Sequence, residues 1–188
     1  KMTYKIADIK NESGTTSASF TAEMVNQKGK SISKSSGTYK CTGGALFVDA
    51  RASMPGEQMG PFKDMDVKAS DSYIEYPASF TDGQSLSDVD FKMEVFDRGR
   101  QVSTVTFQQT NRKVVGKESI TTPAGTWDCV KISYDAKMKS AMAPLNIGVP
   151  ITFSSTEWFA PGFGVVKTET FDKKGKLMGS TQISSVKK

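Results

Sequence analysis

Residues 116–138, GKESITTPAGTWDCVKISYDAKM, decide the fold, because they predict two β-strands joined by a tight turn. The turn is predicted at 122–125, where Pro123 fixes the dihedral angle that the second turn position requires and Gly125 can adopt a positive φ. Beyond the turn, side chains alternate with the period of two that is typical of a strand with one packed and one solvated face. The predicted packed face comprises Val130, Ile132, Tyr134 and Ala136, and the predicted solvated face comprises Cys129, Lys131, Ser133 and Asp135.

The same alternation recurs along most of the chain, and it is cleanest at Val89, Phe91, Met93 and Val95. Turns rich in Gly, Asn and Asp separate the alternating segments, and two of these turns, 26–30 and 172–176, match in spacing. Helix is predicted for at most a short turn at 54–59. The sequence therefore predicts an all-β fold of about ten or more antiparallel strands. A sheet of that size must curl or close to cover its apolar face, so we expect a large curled sheet that forms an open half-barrel.

The length of 188 residues predicts a single β-rich domain spanning 1–188, with a core supplied largely by 11 Phe, 5 Tyr and 2 Trp. A strand pattern is already present at Lys1-Met2-Thr3. We therefore expect an upstream segment, removed or not part of this chain, that carries a signal and a first strand. No apolar run approaches the roughly 20 residues that a membrane-spanning helix needs, so the chain is not predicted to be transmembrane.

The net charge of +5 raises the question of nucleic-acid binding. The basic residues, however, are scattered and often alternate with acidic ones, as in Lys92-Met93-Glu94, and no basic stripe carries interleaved aromatic residues. Lysine-rich solvated strand faces explain this pattern, so no nucleic-acid partner is predicted.

The absence of histidine excludes His-based catalytic triads and His-ligated zinc. The two cysteines, Cys41 and Cys129, are too few for a structural zinc site; they are compatible either with one disulfide or with two buried, unpaired thiols.

Two carboxylate pairs, Asp64 with Asp66 and Asp88 with Asp90, are best interpreted as solvated strand faces, because no calcium-loop glycine or further ligand accompanies them. The phosphate-binding and nucleophile-elbow motifs are absent as well. We predict no catalytic residue, no metal and no cofactor, and hence a protein that is not an enzyme.

Two irregular segments, 54–65 and 138–150, are rich in methionine and other apolar residues. Methionine is flexible and polarisable, so such segments can line an adaptable apolar surface; the alternative is that they close the open end of the sheet. Trp127 and Trp158 are compatible with core positions on a two-sided sheet or with exposed stacking residues. The predicted ligand-binding residues are Met54, Met59, Met138, Met142, Leu145 and Trp158.

The phrases GKESITTPAGTWDCVKISYDAKM, EWFAPGFGVVKTETFDKKGKLMGS and YIEYPASFTDGQSL resemble the TapB-like or DUF3108-like family of secreted Gram-negative, Bacteroidales-type proteins of unknown function. The resemblance implies an N-terminal signal, often with a lipoprotein cysteine, and thus a periplasmic or outer-membrane-associated location. It also implies a half-barrel similar to the lipoprotein-carrier LolA class, in which a curved sheet wraps an apolar cavity. No catalytic residues come with this family. Compared with this family, we expect the chain to lack the start of the domain and to have a longer loop after Met138.

These observations predict a non-enzymatic cell-envelope protein that binds a lipid or another apolar small molecule in the concave face of its sheet. The alternative is a structural or interaction module of the periplasm or outer membrane, with an envelope protein as its partner.

Overall fold

The computed structural model describes residues 1–53, 66–145 and 147–187, without the side chains of Ile32, Ser33 and Ser53. Within these ranges the regular structure is β-strand, apart from one 3-10 helix at Ala50–Ser53. The strands are β1 (Met2–Glu12), β2 (Thr15–Val25), β3 (Ser31–Thr42), β4 (Ala45–Asp49), β5 (Asp66–Ala69), β6 (Tyr73–Tyr76), β7 (Val89–Asp97), β8 (Arg100–Thr122), β9 (Gly125–Met142), β10 (Ile151–Ala160), β11 (Gly164–Phe171) and β12 (Leu177–Gln182). The helical turn predicted at 54–59 lies outside the described residues.

The strands form two sheets, one with the order β1-β2-β3-β4-β6 and one with the order β12-β11-β10-β9-β8-β7-β5. The pairings run antiparallel, as in β2 with β3 and β9 with β10. Among the described strands, neither order returns to its first strand, so both sheets are open. The predicted all-β, antiparallel, open fold of about ten or more strands is confirmed, with 12 strands in the described part of the chain. No helix in the described part of the chain is long and apolar enough to cross a membrane.

The chain divides into two compact units. The first unit comprises Lys1–Ser79, Val89–Phe107 and Lys139–Val149, and the second comprises Phe80–Asp88, Gln108–Met138 and Pro150–Lys188. The long strands β8 and β9 each contribute residues to both units. The expectation of a single domain with an upstream segment stays a prediction.

In the first unit, the alternating apolar residues of β7 form a packed face, as predicted: Val89, Phe91, Met93 and Val95 are all buried. Phe20 of β2 is also buried, and its ring contacts Tyr39 with 4.9 Å between the ring centroids.

The hairpin at 116–138 lies in the second unit and follows its prediction closely. β8 ends at Thr122 and β9 begins at Gly125, whose φ is +138°. The Thr122 hydroxyl accepts hydrogen bonds from the Ala124 amide at 3.2 Å and from Trp127 Nε1 at 3.1 Å, and these contacts fix the turn. The predicted packed face is buried at Val130, Ile132, Tyr134 and Ala136.

The opposite face of this hairpin is not uniformly solvated, and the prediction for Cys129 is wrong. Cys129 is buried in a cluster with Trp158, Ala160 and Val166, against which Ile120, Trp127 and Ile183 pack. Trp158 lies within β10 and is therefore core on the second side of the sheet. Alternation does not reveal such a cluster, because its members come from separate strands.

Both cysteines are free thiols, so of the two predicted states the unpaired one is observed. Of the two buried thiols that this alternative predicted, Cys129 is buried, whereas Cys41 is exposed and its predicted burial is wrong. Cys41 lies near the end of β3, where its neighbours Lys40, Thr42 and Gly43 are also exposed.

Candidate functional site

The predicted ligand-binding residues fall into three groups. Met54 and Met59 lie outside the described residues. Met138 and Trp158 belong to the second unit and are buried. Met142 and Leu145 belong to the first unit and are exposed. A ligand-binding role for all six stays a prediction, but of the described members only Met142 and Leu145 are open to solvent.

Trp158 is engaged by polar neighbours within the second unit. Its Nε1 donates a hydrogen bond to Glu118 at 2.9 Å, and the ammonium groups of Lys167 and Lys131 lie 4.3 and 5.2 Å from its ring centroid. The hydrogen bond from Trp158, together with nearby lysines, lowers the pKa of Glu118. These contacts use the polar edge of the indole and cover a ring face, so they fix the position of the Trp158 side chain.

The exposed large apolar residues of the first unit lie mainly on β1 and in the apolar loop. The apolar loop is defined here as residues 142–149 without Asn146, which lies outside the described residues. Four large side chains are exposed there: Met142 to 58%, Leu145 to 75%, Ile147 to 68% and Val149 to 84%. The sequence has no charged residue between Lys139 and Glu157. A contiguous exposed apolar patch marks an interaction surface more often than single exposed apolar residues do.

Backbone hydrogen bonds hold the apolar loop against β8 and β9. The Met142 amide donates to the Ile147 carbonyl at 3.1 Å, and the Ala143 amide donates to the Val102 carbonyl at 3.0 Å. A β-carbon at Gly148 would overlap the carbonyl oxygen of Ser140, which shows how closely the returning backbone approaches β9. The aliphatic side chains thus project from a backbone that is fixed at both ends.

In the second unit, three buried polar side chains that sequence analysis did not predict form a cluster around Tyr134: Arg112, Ser155 and Glu157. Arg112 is 1% exposed, and its Nη1 donates a hydrogen bond to the Ser87 carbonyl at 2.9 Å. Burial raises the pKa of Tyr134 above its ordinary value, and the Glu157 carboxylate acts in the same direction; the hydrogen bond with Ser155 and the Arg112 guanidinium oppose this rise.

A break in the alternation of β8 explains why this cluster was missed. The buried positions are Ser103, Val105, Phe107 and Gln109 up to Asn111, which has a φ of +56°. Beyond Asn111 the buried positions are Arg112 and Val114, so the extra residue shifts the inward face by one. The available signal is Asn111 itself, since Asn is one of the few non-glycine residues enriched at positive φ.

The predicted carboxylate pairs do not form a metal site in the described part of the chain. Asp66, Asp88 and Asp90 are exposed, and Asp64 lies outside the described residues. Among the residues that the structure describes, no group of three or more His, Cys, Asp or Glu side chains could hold a metal ion. The exposed apolar side chains described above make the apolar loop the candidate functional site.

Comparison with known proteins gives one family and two solved structures. A family model described as DUF3108-like matches residues 1–183. The fold is similar to that of a putative lipoprotein from Parabacteroides distasonis ATCC 8503, with a TM-score of 0.80 and 24% identity over 99% of this chain and 86% of that chain. It is also similar to a putative exported protein with a YmcC-like fold from Bacteroides fragilis NCTC 9343, with a TM-score of 0.75 and 18% identity over 100% of this chain and 87% of that chain. At these identities the similarity shows the fold alone. No curated protein matches the chain.

Proposed function

The chain belongs to the DUF3108-like family, and from this premise we propose that it is a non-enzymatic protein of the cell envelope that binds an apolar ligand carrying an acyl chain. Two considerations support the envelope location. The two structural neighbours are described as a putative lipoprotein and a putative exported protein. The resemblance to secreted, LolA-like half-barrel proteins seen in the sequence points to the periplasm or the outer membrane.

The observation that carries the proposal is the apolar loop. Its exposed side chains are aliphatic, and its sequence from Met142 to Val149 contains no charged group. Such a surface binds hydrocarbon in preference to polar molecules, because covering one large aliphatic side chain completely is worth about 1.5–3 kcal/mol. An acyl chain matches this chemistry. The loop also presents no nucleophile and no titratable group, which is why we propose binding without catalysis.

The second candidate function is a protein-interaction module, and β1 favours it. β1 is an edge strand of the five-stranded sheet, it is exposed along all 11 residues, and its exposed side chains include Tyr4, Ile6 and Ile9. An exposed edge of this kind can pair with a strand of another protein. Crosslinking in envelope extracts separates the two functions, because a carrier captures lipid and an interaction module captures protein.

Titration of the full chain with a monomeric fluorescent fatty acid tests the proposal. We expect saturable binding that is weakened roughly 10- to 100-fold in the double variant Leu145→Ser/Val149→Ser, which removes the two most exposed side chains of the apolar loop. The matched control is Leu177→Ser/Met178→Ser, a pair of exposed apolar residues on β12. Absence of uptake by the unmodified chain, or an equal loss in the control, would refute the proposal.

A further inference from the structure

Three cationic side chains lie at the same end of the first unit as the apolar loop; two of them are exposed and the third, Lys139, is half-buried. Arg98 and Arg100 belong to the turn between β7 and β8 and are exposed, and Lys139 lies on β9 shortly before the loop. The hydrogen bond from Ala143 to Val102 places the loop beside the beginning of β8, two residues from Arg100. Among the described residues, Arg98, Arg100 and Lys139 form no ion pair.

Resting on the function proposed above, we infer that the apolar loop inserts into the surface of a lipid bilayer that contains anionic lipids, while Arg98, Arg100 and Lys139 contact the headgroup phosphates. Aliphatic side chains flanked by basic residues are the features by which proteins bind in the plane of a membrane interface. The aliphatic groups enter the boundary of the acyl chains, and the long basic side chains remain at the level of the phosphates.

Three features suit the loop to acyl chains that are presented by a bilayer surface. The four exposed side chains project from one short loop whose ends are fixed to β8 and β9, so they can enter a surface together. The guanidinium groups of Arg98 and Arg100 suit phosphate geometry, because each can donate two parallel hydrogen bonds. Of the charged residues in the turn, Asp97 is the single carboxylate beside the two arginines, and the whole chain carries a net charge of +5. The complementary partner is therefore anionic as well as apolar.

Sedimentation of the full chain with vesicles tests this inference. One vesicle preparation is phosphatidylcholine alone, and the other replaces one third of it with phosphatidylglycerol. We expect binding to the anionic vesicles, much weaker binding to the neutral ones, and loss of binding as salt rises. Leu145→Ser/Val149→Ser should abolish sedimentation. Arg98→Gln/Arg100→Gln should weaken it about fivefold for each arginine, which corresponds to ~1 kcal/mol per basic residue at an anionic surface.

The controls remove the same chemistry elsewhere. Lys173→Gln/Lys174→Gln deletes two exposed charges from the turn before β12, and Leu177→Ser/Met178→Ser deletes two exposed apolar side chains; neither should alter vesicle binding. Equal binding to both vesicle types, or retained binding by the loop variant, overturns the inference. The inference is also overturned if the chain takes up fatty acid but does not bind vesicles; the proposed function then still stands. It is likewise overturned if the loop captures a protein and the chain does not bind vesicles. Failure of both fatty-acid and vesicle binding refutes the proposed function too.

Discussion

Gly37 shows how strongly a single position constrains the core of the first unit. A β-carbon at Gly37 would lie 2.7 Å from Cε1 and Cζ of Phe20 and 2.9 Å from Cβ of Asp49. Phe20 and Asp49 are both buried, and Phe20 is also held by its contact with Tyr39. The Phe20 ring therefore has little freedom to move away, and glycine is the residue that fits opposite it in β3.

We predict that Gly37→Ala destabilises the protein by about 1–3 kcal/mol, the usual cost of overpacking a filled core. The measurement is the midpoint of urea unfolding, with an unchanged slope. Gly179→Ala is the matched control, because Gly179 also lies in a strand and a β-carbon there would have no neighbour within 4 Å. A Gly37→Ala variant as stable as the control would show that Phe20 can shift at little cost.

For single residues, the sequence shows why a glycine is required in a turn but not why one is required in the core. Gly125 was predicted from the Pro-Ala-Gly pattern, and its positive φ confirms the prediction. Gly37 lies in a polar strand, and nothing in the local pattern indicates that an aromatic ring from β2 will cover it. That contact depends on the register that pairs Phe20 with Gly37.

The extra residue at Asn111 forms a bulge in β8 and turns the charged side chain of Arg112 inward. Among the strands, this is the main exception to simple alternation of buried and exposed residues. Arg112 on β8 and Glu157 on β10 are charged residues at buried positions, where apolar residues are usual. Both act on Tyr134 with opposite sign, Glu157 raising its pKa and Arg112 lowering it. Their charges are therefore close enough to influence the same phenol.

We predict that Arg112→Met destabilises the protein by about 3–5 kcal/mol, because it leaves the Glu157 carboxylate buried without the guanidinium. Removing Arg112 should also raise the pKa of Tyr134 further, since a charge that lowers it is lost. The double variant Arg112→Met/Glu157→Gln should cost less than the sum of the two single changes, as urea unfolding in a double-mutant cycle would measure.

Arg100→Met provides the control, because Arg100 begins the same strand but is exposed. Its effect on the free energy of unfolding should be within about 0.5 kcal/mol of zero. Additive costs for Arg112→Met and Glu157→Gln would mean that the two charges act independently and that the cluster is not a coupled unit.

For the elements, alternation correctly predicted the inward faces of β7 and of β9 from Val130 to Ala136, because the alternation is not interrupted over these residues. It gave no inward face for β8, where Asn111 changes the phase, and it was wrong for Cys129, which packs on the second side of the sheet. The segment 138–150 was recognised as apolar and irregular. Its exposure could not be predicted from composition, because an unperiodic apolar segment can equally close a core.

For the whole molecule, the sequence predicted the class and openness of the fold but not the division of its strands between two sheets. Neighbouring strands joined by tight turns, such as β7 with β8, are visible in the sequence. The pairing of β4 with β6, or of β5 with β7, joins strands that are not consecutive. Such pairings are decided by side-chain packing between distant parts of the chain, which leaves little trace in local patterning.

The two free cysteines allow the cooperativity of the whole molecule to be measured. Cys41 is exposed, whereas Cys129 is buried in the second unit, and burial, followed by the charges of Asp128 and Glu118, raises the pKa of the Cys129 thiol. A thiol reagent should therefore label Cys41 at once and Cys129 only through unfolding, because the thiolate is the reactive form.

In a Cys41→Ser variant, the labelling rate of Cys129 reports how often the second unit opens. β8 and β9 supply residues to both units, so opening the second unit disrupts strands that also build the first. We therefore predict that the free energy of opening at Cys129 equals the global free energy of unfolding from circular dichroism, with the same dependence on urea. An opening energy several kcal/mol below the global value would show instead that the second unit unfolds alone, and that sharing two long strands does not suffice to couple the units.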